Sequence, residues 1–403
     1  MRPDARLASP ARAGYEAAAM VLVDSTTALA ALCSRLARER YVTVDTEFMR
    51  DRTYWPKLCL VQLAGEREAA AVDALAPGLD MTPLLELMAD ERVLKVFHAC
   101  RQDLEIFWLL MKGRVPKPIF DTQVAAMVCG FGEEVAYETL VQKVAKARLD
   151  KSFRFTDWSK RPLTEAQLRY ALSDVTHLRV IYENLASRID ATGRRPWVEE
   201  ELARIADPAL FEQPPEEAWR RLKVKTRDPR FLAVVQKLAA WRERTAQARD
   251  LPRQRVLRDD LLLEIAAHKP RTVEELRGHE RISLDRASLA GVVAAVNEAL
   301  AIPASDLPEL VEPVELPRGI GPLVDMLRLL LKICCEEADV AQRMVASTAD
   351  LEAIAMDDAA EVPALSGWRR EIFGEAALAL KQGRIGLVVK DRRPAILPLP
   401  ERR

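Results

Sequence analysis

The ten residues Tyr41–Arg50 read YVTVDTEFMR. Val and Thr alternate as in a buried strand, yet the strand finishes on two carboxylates, Asp45 and Glu47. Side chains alternate across a strand, so these acids project from the same face. Two such acids repel and are costly to desolvate unless a cation joins them. A hard divalent ion that prefers oxygen ligands would do so, and an exposed edge strand would tolerate the pair without one.

Outward from this strand, apolar runs alternate with helical spacing. STTALAALCSRLARER (25–40) opens on Ser/Thr and has the apolar period of a helix. KLCLVQLAG (57–65) and EAAAVDAL (68–75) predict two more strands, MTPLLELMAD (81–90) a short helix, and RVLKVFHA (92–99) a buried strand. This order predicts an α/β domain over 21–207.

From about residue 215 strand signals nearly vanish. Four amphipathic segments (230–250, 258–268, 272–278 and 285–301) predict a helical module over 215–300. PASDLPELVEPVELP (303–317) carries four prolines and four acids and reads as a linker that lets its neighbours move. A second all-α block is expected over 318–403, similar in size and texture to the first. Residues 1–20 contain Arg and Ala without an apolar core, so they read as a disordered extension, not a secretory signal.

The bulk numbers suit a multidomain globular chain: 403 residues, 49% hydrophobic, 30% charged. No apolar run is long enough to span a bilayer. Six cysteines without a C-x-x-C argue against zinc and disulfide frameworks and for reduced thiols in the cytoplasm. A monomer is the expectation. The net charge of −1 excludes a globally basic chain. Locally, however, Trp219–Arg258 holds thirteen Lys or Arg against three acids. Arg220, Arg221, Lys223 and Lys225 lead this run and are candidate phosphate contacts.

Two further stretches bear on the carboxylates. VFHACRQDLEIF (96–107) places Asp103 at the start of a helix after a buried strand. YALSDVTHL (170–178) places Tyr170 and Asp174 four residues apart, on one helical face. Each alone reads as readily as a cap or a solvated face. Together they supply four acids and a tyrosine from three segments, as a two-metal phosphodiesterase site needs.

VDTEFMR, TYWPKLCLVQLA, FHACRQDLEIF, FDTQVAAMVCGFG and DKSFRFTDWSKRPLTEAQLRYALSDVTHL resemble the DEDD superfamily of 3′→5′ exonucleases. The Y-x-x-x-D spacing resembles its tyrosine subclass, and within it the bacterial ribonuclease D family. The helical blocks resemble HRDC domains, the second less sharply.

The resemblance implies an RNase H-like (DnaQ-like) domain with a mixed sheet, followed by two small all-α modules. It implies two divalent ions, Mg²⁺ or Mn²⁺, held by Asp45, Glu47, Asp103 and Asp174, with Tyr170 orienting the water. It implies RNA as partner, tRNA precursors trimmed at their 3′ ends among them, and release of 5′-monophosphates. Phe48 could stack on a terminal base, and His98, Gln123 and Arg154 could contact the strand; core packing or plain hydrogen bonding would serve each of them as well. A DNA exonuclease of the same fold and a non-catalytic RNA-binding protein are the alternatives.

Overall fold

The computed structural model describes residues 21–150, 152–153, 156–226, 228–278, 284–309 and 317–400. The extension 1–20, Arg154 and residues 310–316 of the acidic linker lie outside them.

Six strands form one mixed sheet: β1 (Val21–Val23), β2 (Tyr41–Met49), β3 (Lys57–Ala64), β4 (Ala69–Asp73), β5 (Leu94–Phe97) and β6 (Ile119–Asp121). Their spatial order is β1-β4-β3-β2-β5-β6. β2–β3–β4 is an antiparallel meander, and β1, β5 and β6 add in parallel. The two three-residue outer strands were not apparent in the sequence, because runs this short carry no period.

The helices of this region are α1 (Thr26–Leu36), α2 (Thr82–Ala89), α3 (Arg101–Leu110), α4 (Thr122–Val128), α5 (Tyr137–Leu140), α6 (Glu165–Ala191) and α7 (Arg195–Ile205). Alternation along β2 sorts its neighbours. Val42 and Val44 face a core with Leu29, Leu32, Leu84 and Leu104, contributed by α1, α2 and α3. The opposite face of the sheet carries α6, whose Ala171, Leu172 and Val175 pack on Leu60, Ala64 and Ala71. Each such fully buried Leu or Val contributes about 1.5–3 kcal/mol. α6 starts cleanly because Thr164 and Gln167 form a reciprocal capping box.

The basic helical block has its own core, built by Leu238, Leu262, Ile265, Val292 and Val296. Its first helix, α8 (Pro229–Arg249), ends at Asp250 in the left-handed region (φ 49°). The Asp250 carboxylate accepts the backbone N–H groups of Tyr54 and Trp55, both at 3.0 Å, so α8 is pinned to the loop after β2.

The last block does not swing free of the nuclease body. Leu327, Leu330, Leu331, Trp368 and Phe373 share one core with Val124, Leu178, Ile181 and Val198 of α4, α6 and α7. Trp197 stacks on Trp368 with ring centroids 4.6 Å apart. The expectation that this block is helical throughout holds to Lys381 and ends there. Ile385–Lys390 (β7) and Arg393–Pro398 (β8) form an antiparallel hairpin. Its β-branched runs IGLVVK and RPAIL are strand-forming, and the loop chemistry between them is that of a two-residue turn.

Candidate functional site

Thr43, Asp45 and Glu47 share the face of β2 that meets α6. The Thr43 hydroxyl donates to the backbone carbonyl of Val175 at 2.8 Å. That bond sets the register of α6 against β2 one residue from Asp174. As a result, Asp45, Glu47 and Asp174 each place a carboxylate oxygen within 4.8 Å of the others. Just past Glu47 the ladder shifts at a β-bulge, a common device for re-aiming side chains beside a site.

Asp103 arrives from the other layer, in the first turn of α3, and lies outside that three-acid group. It is buried and accepts a hydrogen bond from the Thr46 hydroxyl at 2.5 Å. Thr46 points to the α3 side because it alternates with Asp45 and Glu47.

The electrostatics are those of buried acids with no cation beside them among the described residues, which favours their protonated forms. Burial, followed by repulsion from Asp45, Asp174 and Asp103, pushes Glu47 up to about 9. Burial raises Asp45 to about 6, against the Thr46 backbone bond that lowers it. Asp103 and Asp174 are held well above the ordinary carboxylate range, first by burial and then by Asp45. Among the described residues none of the four pairs with a Lys or Arg. Gln62, directly across the ladder from Asp45, is fully buried, and neither polar atom of its side chain has a hydrogen-bond partner. Clustered hard oxygen donors with uncompensated charge fit divalent cations.

Asp45 and Asp174 open into a cleft of about 270 Å³ that Tyr170, Tyr137 and His98 also line. The Tyr170 ring stacks against Trp158 at 6.1 Å. Arg161 fixes the Trp158 loop to the sheet: it pairs with Asp73 at 2.6 Å and donates to the carbonyls of Trp158 and Cys59. A larger cavity of about 930 Å³, between β6 and α7, includes none of these acids.

His98 hydrogen-bonds the Thr122 hydroxyl at 2.9 Å, and burial lowers its pKa. Phe48 is half-buried at the bulge. The Gln123 amide donates to the Val135 carbonyl at 3.4 Å. Asp121 caps α4 and also accepts from the N–H groups of Ala99 and Cys100, bracing the turn that leads into α3.

Three neighbours were not singled out in the sequence: Thr46, Gln62 and Tyr137. The Tyr137 hydroxyl donates to the Asp174 carbonyl at 2.7 Å, and its ring lies 5.3 Å from His98. No spacing joins residue 137 to residue 174; only the packing of α5 on α6 does.

The basic run divides in two. Lys223 and Lys225 are exposed, and Arg220 and Arg221 are exposed beside acids, Glu217 and Glu243 respectively. Arg242, by contrast, is buried and pairs with Asp259 at 2.6 Å. Arg253 grips Glu243 at 2.5 Å and lies 4.6 Å from the centre of the Tyr54 ring. Arg230 donates to the carbonyls of Ala299, Leu300 and Ile302. The free positive field is therefore smaller than the residue count implied.

No helix among the described residues is long and apolar enough to cross a membrane.

Residues 20–190 match the family model described as a 3′–5′ exonuclease, and residues 231–286 match the HRDC domain model. The chain is 50% identical over 381 residues to ribonuclease D of Gluconacetobacter diazotrophicus, covering 94% of this chain and 97% of that one. It is likewise 50% identical over 383 residues to ribonuclease D of Acidiphilium cryptum, covering 94% and 97%. The crystal structure of Escherichia coli RNase D, described as an exoribonuclease involved in structured RNA processing, superposes with a TM-score of 0.76. Its sequence identity is 30%, over 91% of this chain and 99% of that one. The match to these relatives runs along nearly the full length of both chains and takes in the exonuclease and HRDC segments, and the chain belongs to the ribonuclease D family of 3′→5′ exoribonucleases.

Proposed function

We propose that this chain trims the 3′ ends of tRNA precursors and other structured small RNAs in the cytoplasm. It acts one nucleotide at a time and releases nucleoside 5′-monophosphates. The observation that carries this reading is the meeting of Asp45, Glu47 and Asp174 within 4.8 Å, at a cleft that Tyr170 also lines. Asp103 sits behind them on Thr46.

Asp45, Glu47, Asp103 and Asp174 would hold two divalent ions, Mg²⁺ or Mn²⁺. Such ions, when bound, neutralise the acids and act as Lewis acids toward the charge that develops on the scissile phosphate. Tyr170, stacked on Trp158, orients the attacking water through its hydroxyl, since a phenol at neutral pH is a hydrogen-bond donor and not a base. Phe48, His98, Gln123 and Arg154 receive the terminal nucleotides. Choice of RNA over DNA requires a contact to the 2′-hydroxyl.

In this reading 21–207 is the nuclease body, 215–300 and 318–403 are RNA-holding modules, and 303–317 connects them. Arg220, Arg221, Lys223 and Lys225 hold phosphates of the RNA body.

The test is a time course on a tRNA with a short 3′ extension, with Mg²⁺, with Mn²⁺ and with chelator, and a matched DNA strand in parallel. Stepwise, metal-dependent shortening that halts near the mature end, on RNA and not on DNA, is expected. Metal-independent shortening, or none past a single-stranded control, overturns it.

A further inference from the structure

We propose that the hairpin β7–β8 is a phosphate-binding arm that grips the backbone of the RNA substrate; this rests on the RNA reading above. Asp391 and Arg392 join the strands with φ of 51° and 62°, both in the left-handed region, as a two-residue type I′ turn requires. Ile385, Leu387 and Ile396 seat the base of the hairpin on the core shared with the nuclease body. Val389 falls on the same face as Leu387 by alternation, yet it is 80% exposed, so the outer half of the arm projects beyond that core.

The projecting end concentrates cations. Lys390 stands directly opposite Arg393 in the ladder, and Arg392 occupies the turn between them. Like charges directly opposite each other destabilise a hairpin. Among the described residues none of the three makes an ion pair, and Asp391 is the only acid in the arm. Arg369, in the same block, shows the contrast: it is buried and bonded to Glu200 and Glu201. A two-stranded arm with three cations and a single acid at its tip suits a polyanion, whose phosphates would relieve the repulsion that the fold leaves standing. The tip carries three cations against one acid, a charge complementary to a polyanion, which argues for RNA as occupant.

The test uses the full chain. Binding of a tRNA bearing a short 3′ extension is measured in chelator across a KCl series, alongside metal-dependent shortening of a short single-stranded RNA. The variants are Lys390→Gln/Arg392→Asn/Arg393→Gln and, as a single exposed change compatible with a positive φ, Arg392→Asn. The triple variant is expected to bind tRNA about tenfold more weakly at low salt. Its log–log salt slope should be shallower by about 2, as for two or three lost phosphate contacts, and shortening of the short RNA should be unchanged. Arg392→Asn is expected to weaken binding about two- to threefold.

Wild-type affinity and slope in both variants overturn the arm. So does a concentration-dependent dimer, seen by sedimentation, that the substitutions abolish while tRNA binding stays intact. Failure of the wild-type chain to shorten the short RNA with metal would instead remove the proposed function, which the variants' shortening assay reads separately.

Discussion

The hydroxyl of Thr46 donates a 2.5 Å hydrogen bond to Oδ1 of Asp103, tying the strand that bears Asp45 and Glu47 to the helix that bears the remaining acid. One strand thus serves both layers: Asp45 and Glu47 face α6, and Thr46 faces α3. The bond also favours the ionised form of Asp103, which burial disfavours. Thr46→Val is nearly isosteric and removes the donor. It should cost about 1–3 kcal/mol of hydrogen bonding to a buried carboxyl. The expected readout is a several-fold rise in the metal concentration needed for half-maximal shortening. An unchanged metal titration would show that Asp103 needs no such support.

Asp174→Asn should abolish nearly all cleavage yet keep the fold and RNA binding. Because Asp174 adds to the repulsion that raises Glu47, the metal-free variant should melt no lower than wild type. Tyr170→Phe should lose less, about 10²-fold, because it removes one positioned hydroxyl. Single-turnover rates and thermal melts check both. Wild-type cleavage by Asp174→Asn would sink the site assignment.

The pH dependence of the metal-free protein follows from the same acids. Glu47 is raised from 4.5 to about 9 and Asp45 from 3.8 to about 6, so the folded state holds protons that the unfolded chain releases. Stability from these groups is fully present below their ordinary pKa values and is lost as pH rises through the folded ones. Melting temperature in chelator should therefore fall between about pH 5 and 9. Mg²⁺ or Mn²⁺ must displace those protons, so the metal-induced rise in melting temperature should grow with pH. A metal shift that is flat across that range contradicts the acid cluster as the binding site.

Tyr54 anchors the HRDC module: its hydroxyl meets Glu243, Gln213 at 2.9 Å and Arg253 at 2.9 Å. Tyr54→Phe should lower stability by about 1–2 kcal/mol and raise protease cutting around residues 208–228. Cleavage of a short RNA should persist. Unaltered proteolysis would mean that Asp250 alone holds the contact.

Lys223→Ala/Lys225→Ala should weaken tRNA binding and flatten its salt slope by about 2. Arg242→Ala, which removes a buried partner of Asp259, should instead lower the melting temperature and leave the slope unchanged. Equal effects of the two variants on binding would restore the whole basic run as an RNA surface.

Much of the nuclease body was legible before its structure. The meander β2–β3–β4 and helices α1 and α2 announce themselves through clean periods and caps, and the acids stand out because paired carboxylates conflict with the strand that carries them. The outer strands β1 and β6 were not legible, being three residues long. Nor was the hairpin β7–β8, which follows a long helical stretch. Thr46, Gln62 and Tyr137 are ordinary strand and helix residues until packing sets them beside acids far away in the chain.

What local chemistry settles here is which residues are acidic, which segments are helix or strand, and that Asp45 shares a face with Glu47; these depend on alternation and spacing within a few residues. Tertiary packing alone decided that Asp174 completes their cluster while Asp103 stands apart on Thr46. It also decided that Arg242 of the basic run is buried in an ion pair and Arg253 is held against Glu243, and that the last block rests on the nuclease core instead of swinging on its linker. Those outcomes turn on contacts between residues tens to hundreds of positions apart, where burial and partner, not sequence spacing, determine whether a charge faces water, a neighbour or a ligand.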